Sequence, residues 1–516
     1  MHDIEFLLLL LLAIALLAQL AGRLEIPYPV FLVCGGVAIA LVPGIPQLDL
    51  KPDVVFLVFL PPLLYAAAFT ASPRDLRAEA GRIALLAIAL VALTVLVVAA
   101  VARALLGELA WPMAFVLGAI LAPTDPVAAT SVFRRTRVPE RVAVVVEGEA
   151  LVNDGVGLTL YRTAVGAATT GAFSLGAAAL QFVLVSVGGV AVGLAIAWAL
   201  TVLKRSVQES EIEITLSLFT PYAAYIAAEA IGASGVLAAV AAGVLSGWRA
   251  GEVMMPETRV KVRAFWSAVA FILDSLLFVL VGLQLPRVLD ALAPRSVGDY
   301  VLPALGVAVA VMAVRMAFVL ALAAIRARLP DVVEEPLPRR ERLVVGWSGM
   351  RGAVSLAAAL SIPLAADGRD VVLLVTFATI LVTIVVQGLT LPLLVRACGL
   401  DRVAAEERQE QEARLQAAEA ALARLDRAAA DDEAPDTTVE RLRTTYTEHA
   451  ERAAAELDDH DVETEDSSEA YVELRAITLA AERDAIVELR RAGKLSGDAA
   501  RRLQHEIDLA ESRLRV

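Results

Sequence analysis

Apolar positions in this chain do not alternate with polar ones. They come in long runs separated by short polar segments over the first 400 residues. A run of about twenty apolar residues crosses a bilayer as a helix. On that rule the pattern predicts spans at 4–21, 28–43, 53–70, 82–102, 112–132, 142–166, 176–203, 211–230, 233–248, 264–285, 299–324, 341–363 and 370–395, thirteen in all. Proline and glycine recur inside these runs, which membrane helices tolerate when neighbours re-satisfy the freed backbone groups. The first run, MHDIEFLLLLLLAIALLAQLAG, has no basic leader and is long enough to span, so it reads as a retained helix and not a cleaved signal. The pattern changes near residue 401. Residues 402–430 are rich in Ala, Glu, Arg and Leu and read as helix, DDEAPD at 431–436 breaks it, and DDHDVETEDSSE at 458–469 is an acidic linker. Apolar residues then return at helical spacing over 470–492 and 498–514, with Gly493 and Gly497 between, a helical-hairpin pattern. The chain thus divides into a transmembrane part, 1–400, and an acidic helical C-terminal part, 401–516.

Composition agrees. Hydrophobic residues make up 58% and mean hydropathy is +0.69, against roughly 45–50% apolar in soluble domains. The formal charge of −13 belongs to the tail: residues 401–516 hold 30 of the 58 acids and 17 of the 45 Lys and Arg, leaving 28 of each in the first 400. That distribution argues against a nucleic-acid partner. The partners expected are membrane lipid and, at the tail, either nothing beyond its own packing or a regulatory ligand or partner. Cys34 and Cys398 lie far apart in apolar segments and give neither metal spacing nor a disulfide framework. His2, His449, His460 and His505 all lie outside the apolar core of the spans, which excludes an intramembrane histidine site. Taking alternate loops, 21 Lys and Arg fall on one side of the thirteen spans and 6 on the other. The positive-inside rule then places the N-terminus outside and the C-terminus in the cytoplasm of a multi-pass plasma (inner) membrane protein.

Ionisable groups at membrane depth are costly, and each needs a reason. Three places stand out. In the fifth span, AFVLGAILAPTDPVAATSVF, Pro123 and Pro126 flank Thr124 and Asp125 and predict a helix broken near its middle. Asp125 sits where it can complement a positive half-helix end; the alternative is a proline kink with a capping Asp and no transport role. The sixth span, VAVVVEGEALVNDGVGLTLY, holds Glu147, Glu149, Asn153 and Asp154. Glu149 and Asp154 are five apart and face different sides of a helix. Asn153 and Asp154 supply the hard oxygens that a small alkali cation prefers. Desolvation disfavours a bare Asp154 carboxylate, so it would hold a proton or a cation, but not both. The alternative is that these acids are all structurally paired, which suits Glu149. Late in the chain, Arg315 interrupts the apolar run ALGVAVAVMAVRMAFVLALA and demands a carboxylate, for which Glu149 is the choice because Asp154 must stay free. Arg351 lies among Gly346, Gly349 and Gly352, which suggest a second interrupted helix whose carbonyl ends it could neutralise. Both arginines have a purely structural alternative. Two interrupted helices, in the fifth and twelfth spans, point to an inverted-repeat transporter with its site at the bilayer midplane.

The segments Thr124-Asp125-Pro126, EGEALVND (147–154), GMRGAVSLAAAL (349–360), VQGLTLPLLV (386–395), LPPLLYAAAF (60–69) and EAIGASGVLAAVAAGVLSG (229–247) resemble, in order and spacing, the NhaP/NHE branch of cation:proton antiporters. The resemblance implies an all-α fold of thirteen helices, a homodimer, and a core domain that moves like an elevator against a dimerisation domain. It implies Asp154 as the main cation and proton carboxylate with Asn153, Asp125 and Thr124 around it, the alkali cation resting on Asp154 and Asp125. It also implies a Glu149–Arg315 ion pair. No cofactor is expected; Na+ (or K+ or Li+) and H+ are cargo. An Asn-Asp pair resembles the electroneutral branch, one proton per cation, and one free carboxylate agrees with that count. Two positions depart from the pattern. Many relatives carry an acid where this chain reads Leu64-Tyr65-Ala66-Ala67, and many carry Ser where it has Ala150. Each removes an oxygen near the expected site, so the cation is left open. A cation channel and a proton-coupled carrier of another substrate remain the alternatives. An enzyme is not expected, because no nucleophile–base pair, phosphate loop or metal-ligand spacing is present.

Overall fold

Helices are the only regular structure among the described residues. The computed structural model describes residues 2–24, 26–43, 51–136, 138–170, 175–204, 209–292, 296–326, 337–400, 403–430 and 436–457, with scattered positions from 477 onward. Two units separate, Met1–Asp401 and Arg402–Val516.

The first unit begins with α1 (His2–Arg23), α2 (Tyr28–Ala40), α3 (Pro52–Thr70) and α4 (Ala80–Leu105). The predicted fifth span is two helices, α5 (Trp111–Leu121) and α6 (Val127–Thr136), and the sixth is α7 (Glu140–Thr170). There follow α8 (Leu175–Lys204), α9 (Ser210–Ala230), α10 (Gly235–Val253), α11 (Pro256–Leu283) and α12 (Gly298–Arg326). The predicted twelfth span is likewise divided, into α13 (Arg339–Trp347) and α14 (Ala353–Leu360), before α15 (Arg369–Ala397). Among the described residues, seven helices are long and apolar enough by themselves to cross a membrane, and α1, α2 and α5 hold shorter apolar stretches. The other expected spans fall short of that measure for reasons the sequence shows. The fifth and twelfth are broken, while α7 and α9 carry acids: Glu147, Glu149 and Asp154 on one, Glu211, Glu213 and Glu229 on the other.

The helices of this unit sort into two bundles. In one, α4 packs on α5 and α12, α5 on α7, α12 on α13 and α15, and α15 on α14 and α6. In the other, α10 packs on α3, α8 and α9, and α11 on α2, α3 and α9. The two meet through α7, through α2 against α6 and α15, through α14 against α11 and α3, and through the short helix Leu285–Leu292, which follows α11 and packs on α15. Small residues set the closest approaches, as expected where lipid removes the usual apolar driving force between helices. At the α2–α11 crossing, a Cβ on Gly36 would collide with the Val279 carbonyl and one on Gly282 with that of Val33. The outer face of α8 shows Leu180, Leu184, Val187 and Trp198 exposed, a surface suited to hydrocarbon.

In the second unit α16 (Val403–Ala430) and α17 (Asp436–Leu457) lie against each other. Ala418, Val439 and Ala453 are buried, and Arg443 reaches Asp426 at 2.6 Å. The helix expected at 402–430 is present. Most of the expected break at 431–436 lies outside the described residues, as do the acidic linker at 458–469 and nearly all of the hairpin at 470–492 and 498–514.

Candidate functional site

The site is built where the two broken helices meet. After Leu121 the two prolines stop the α5 ladder, and residues 122–126 run without helix to α6. Asp125 caps α6: its Oδ1 accepts from the Val127 N–H at 2.9 Å, an N-cap bond. The Asp125 N–H donates to the Met350 carbonyl at 2.8 Å, so the two extended stretches are stitched backbone to backbone. Gly352, the residue before α14, lies against the Asp125 carboxylate, where a Cβ would strike Oδ2. One carboxylate thus faces the positive N-terminal ends of two half-helices.

The carbonyl ends of the other two half-helices would be orphaned in a membrane. They are covered by side chains from far along the chain. Arg351 Nε donates to the Leu121 carbonyl at 2.9 Å and Ser355 Oγ to that of Ile120 at 2.7 Å, closing the end of α5. Arg351 also donates to the Gly349 carbonyl beside it, and its backbone N–H is held by Thr383 Oγ1. At the end of α13, Arg315 donates to the Val345 carbonyl from Nε (3.3 Å) and Nη2 (3.2 Å), and Gln387 Nε2 to that of Trp347 at 2.9 Å. Arg315 simultaneously forks onto Glu149, at 2.5 and 2.8 Å, with both side chains 1% exposed. Glu149 and Arg315, paired on sequence grounds, are therefore in contact. Arg351, placed by the sequence at its own break, reaches a carbonyl there and one at the end of the other broken helix.

One turn beyond Glu149 on α7, Asn153 Nδ2 donates to Thr124 Oγ1 at 2.9 Å. Its Oδ1 is buried with no hydrogen-bond partner among the described residues. Asp154 is 8% exposed and lies within electrostatic reach of Asp125, with no ion pair among the described residues. Thr124, Asp125, Asn153 and Asp154 are thus brought to one place, while Glu149 is taken up by Arg315. Glu147 is half-buried and nearer Arg134 on α6. Ala66 and Ala150 are both buried and add no side-chain oxygen.

Sequence reasoning passed over four residues. Asp274, in the apolar run of α11, lies within electrostatic reach of Asp125 and Arg134 and brings a third acid from the opposite bundle. A lone acid in a span was signal enough. Ser355, Thr383 and Gln387 gave weaker signals, being neutral residues in apolar helices.

Among the described residues no group of three His, Cys, Asp or Glu side chains is gathered so as to hold a metal ion. What remains is a buried acid with a free amide oxygen beside it, flanked by compensated helix ends, in a chain of long apolar helices. The family description "Sodium/hydrogen exchanger, transmembrane" matches residues 8–397. This chain belongs to that family. The sodium/hydrogen exchangers are transporters and not enzymes. An uncharacterized Na+/H+ exchanger of Mycobacterium tuberculosis is 34% identical over 517 residues, covering 96% of this chain and 93% of the relative. The Na+/H+ antiporter ApNhaP of Aphanothece halophytica is 32% identical over 507 residues, covering 96% and 94%. Among solved structures, the sodium proton antiporter MjNhaP1 of Methanocaldococcus jannaschii shares the fold with a TM-score of 0.62 at 22% identity, over 77% of this chain and 97% of that one. The family match thus ends four residues before the first compact unit does.

Proposed function

We propose that this exchanger carries Na+ in exchange for H+ across the plasma (inner) membrane, one for one, by competition at Asp154. The observation that carries the reading is the division of labour on α7. Glu149 is neutralised by Arg315, while Asp154, one and a half turns on, has no cationic partner among the described residues. A buried carboxylate without a counter-ion is stable only when a proton or a cation supplies the charge. One occupant excludes the other. Asp125 is already balanced by two half-helix ends and joins Thr124 and Asn153 in supplying oxygen. The charge carried is then the same in both directions, so exchange is electroneutral. Na+ is favoured over K+ and Li+ because the family description and ApNhaP both name sodium.

The transport reading takes the thirteen helical segments, two of them broken, as an inverted repeat. The bundle holding α4–α7 and α12–α15 moves as an elevator against the other, which forms the homodimer contact. All four cation and proton residues lie in that bundle, which supports their moving as one body. The N-terminus is outside and the C-terminus cytoplasmic. The test is proton flux in proteoliposomes with Na+, K+ and Li+ in turn, at clamped and unclamped potential. Na+-driven flux insensitive to potential is expected; flux that scales with potential would overturn the one-for-one stoichiometry. Asp154→Asn should abolish exchange in a folded protein, and wild-type exchange by that variant would remove Asp154 from the mechanism.

A further inference from the structure

Arg162 lies eight residues beyond Asp154 on α7, about 12 Å along the helix axis. Its Nη2 donates to both oxygens of Glu229 in the last turn of α9, at 3.1 and 3.0 Å. This pair joins the two bundles. Glu229 is fixed on its own side, because its Oε1 also accepts from the Gly235 N–H (3.2 Å) at the start of α10. Ser234 is fixed too: its Oγ accepts from Leu237 N–H and its own N–H donates to the Val185 carbonyl. Across the gap, Tyr161 and Ser361 share a hydrogen bond of 2.8 Å within the site bundle. Between these braced walls is a cavity of about 130 Å³ lined by Thr159, Arg162, Tyr225, Glu229, Ser234 and Ser361, among others. Its lining mixes these polar groups with Phe56, Leu158 and Val236, and it is large enough for several waters. Thr159 follows Asp154 by about one and a half turns of α7, so the cavity lies between the candidate site and that end of the bundle.

We infer that Arg162 and Glu229 form a latch that closes one aqueous route to the site and parts in each transport cycle. Any displacement of α7 relative to α9 and α10 separates them. Two of the ion pairs made by α7 differ in the way this requires. Glu149–Arg315 is fully buried and lies inside one bundle. Arg162–Glu229 bridges two bundles, with side chains 53% and 30% exposed. An ion pair so exposed is screened and breaks easily, biasing an equilibrium by no more than about fivefold. That is enough to favour the closed state and too little to trap it. The inference rests on the alternating movement proposed above and not on which cation is carried.

The test uses the full chain with Cys34→Ser and Cys398→Ser and one reporter, Thr159→Cys or Ser361→Cys. A membrane-impermeant methanethiosulfonate is added to the side where residues 231–234 emerge. Glu229→Gln removes the charge and keeps an oxygen for the Gly235 N–H. It should raise the initial labelling rate about two- to fivefold; equal rates in parent and variant would overturn the latch. In a second arm, Arg162→Cys/Glu229→Cys is bridged by a short bifunctional methanethiosulfonate. Proton flux should stop and return on reduction, and unimpaired exchange in the bridged protein would overturn the inference independently. Asp154→Asn in the reporter background separates the two ideas. It stops flux if the binding-site reading holds, and in either case the labelling comparison decides the latch.

Discussion

At the scale of single residues, the energetics turn on which charges are paired. Removing one partner of a buried ion pair strands the other and costs about 3–5 kcal/mol. Arg315→Ala should therefore lower the melting temperature sharply, since Glu149 is 1% exposed. An unchanged melting temperature would refute the pair. Glu149→Gln/Arg315→Met should recover only part of the loss, because Arg315 also covers the Val345 carbonyl. Asp274 acts at longer range. Asp274→Asn should raise the KM for Na+ several-fold with little change in kcat, read from proton flux against Na+ concentration; an unchanged KM would confine the site to α5–α7. The ion pair was legible in the sequence because an Arg in an apolar run has few carboxylates to choose from. Asp274 was overlooked because it stands alone, whereas the acids of α7 come as a cluster. Nothing in the linear order shows that α11 faces the α5–α6 break.

At the scale of elements, the two breaks are one device. Pro123 and Pro126 announce the first break and the glycines around Arg351 the second. Their mutual satisfaction was not legible: Arg351 reaches the carbonyl of Leu121, and Gln387 that of Trp347, across large separations in sequence. Backbone carbonyls carry no sequence signature, so the groups that cover them are found only once helices are packed. Leaving a buried carbonyl without its donor costs about 1–3 kcal/mol. Gln387→Leu should destabilise by that amount in thermal melts and slow exchange less than it destabilises. Gly352→Ala addresses the other end, driving a methyl group into the Asp125 carboxylate. It should abolish Na+-dependent proton flux, and a fully active Gly352→Ala protein would show that Asp125 need not sit at the crossing.

At the scale of the whole molecule, the sequence changes material near residue 401, and Met1–Asp401 and Arg402–Val516 are separate compact units. Charge explains why. The first 400 residues balance 28 acids against 28 bases, and the surplus of acids falls entirely beyond them. The transmembrane unit keeps its ionisable groups for specific partners and helix ends, and the second unit builds helices with a mostly polar surface, Val403–Ala430 and Asp436–Leu457. The family match stops at residue 397, so every residue of the candidate site and of the proposed latch lies in the first unit. Deleting residues 402–516 should therefore leave a protein that inserts, melts cooperatively and exchanges Na+ for H+ in proteoliposomes. What the truncation should change is the dependence of the rate on conditions, such as ionic strength or internal pH, because a net charge of −13 on the tail responds to both. A truncated protein that folds but carries nothing would show that the tail takes part in turnover itself, and would shift the search for the moving parts from α7 and its neighbours to the second unit.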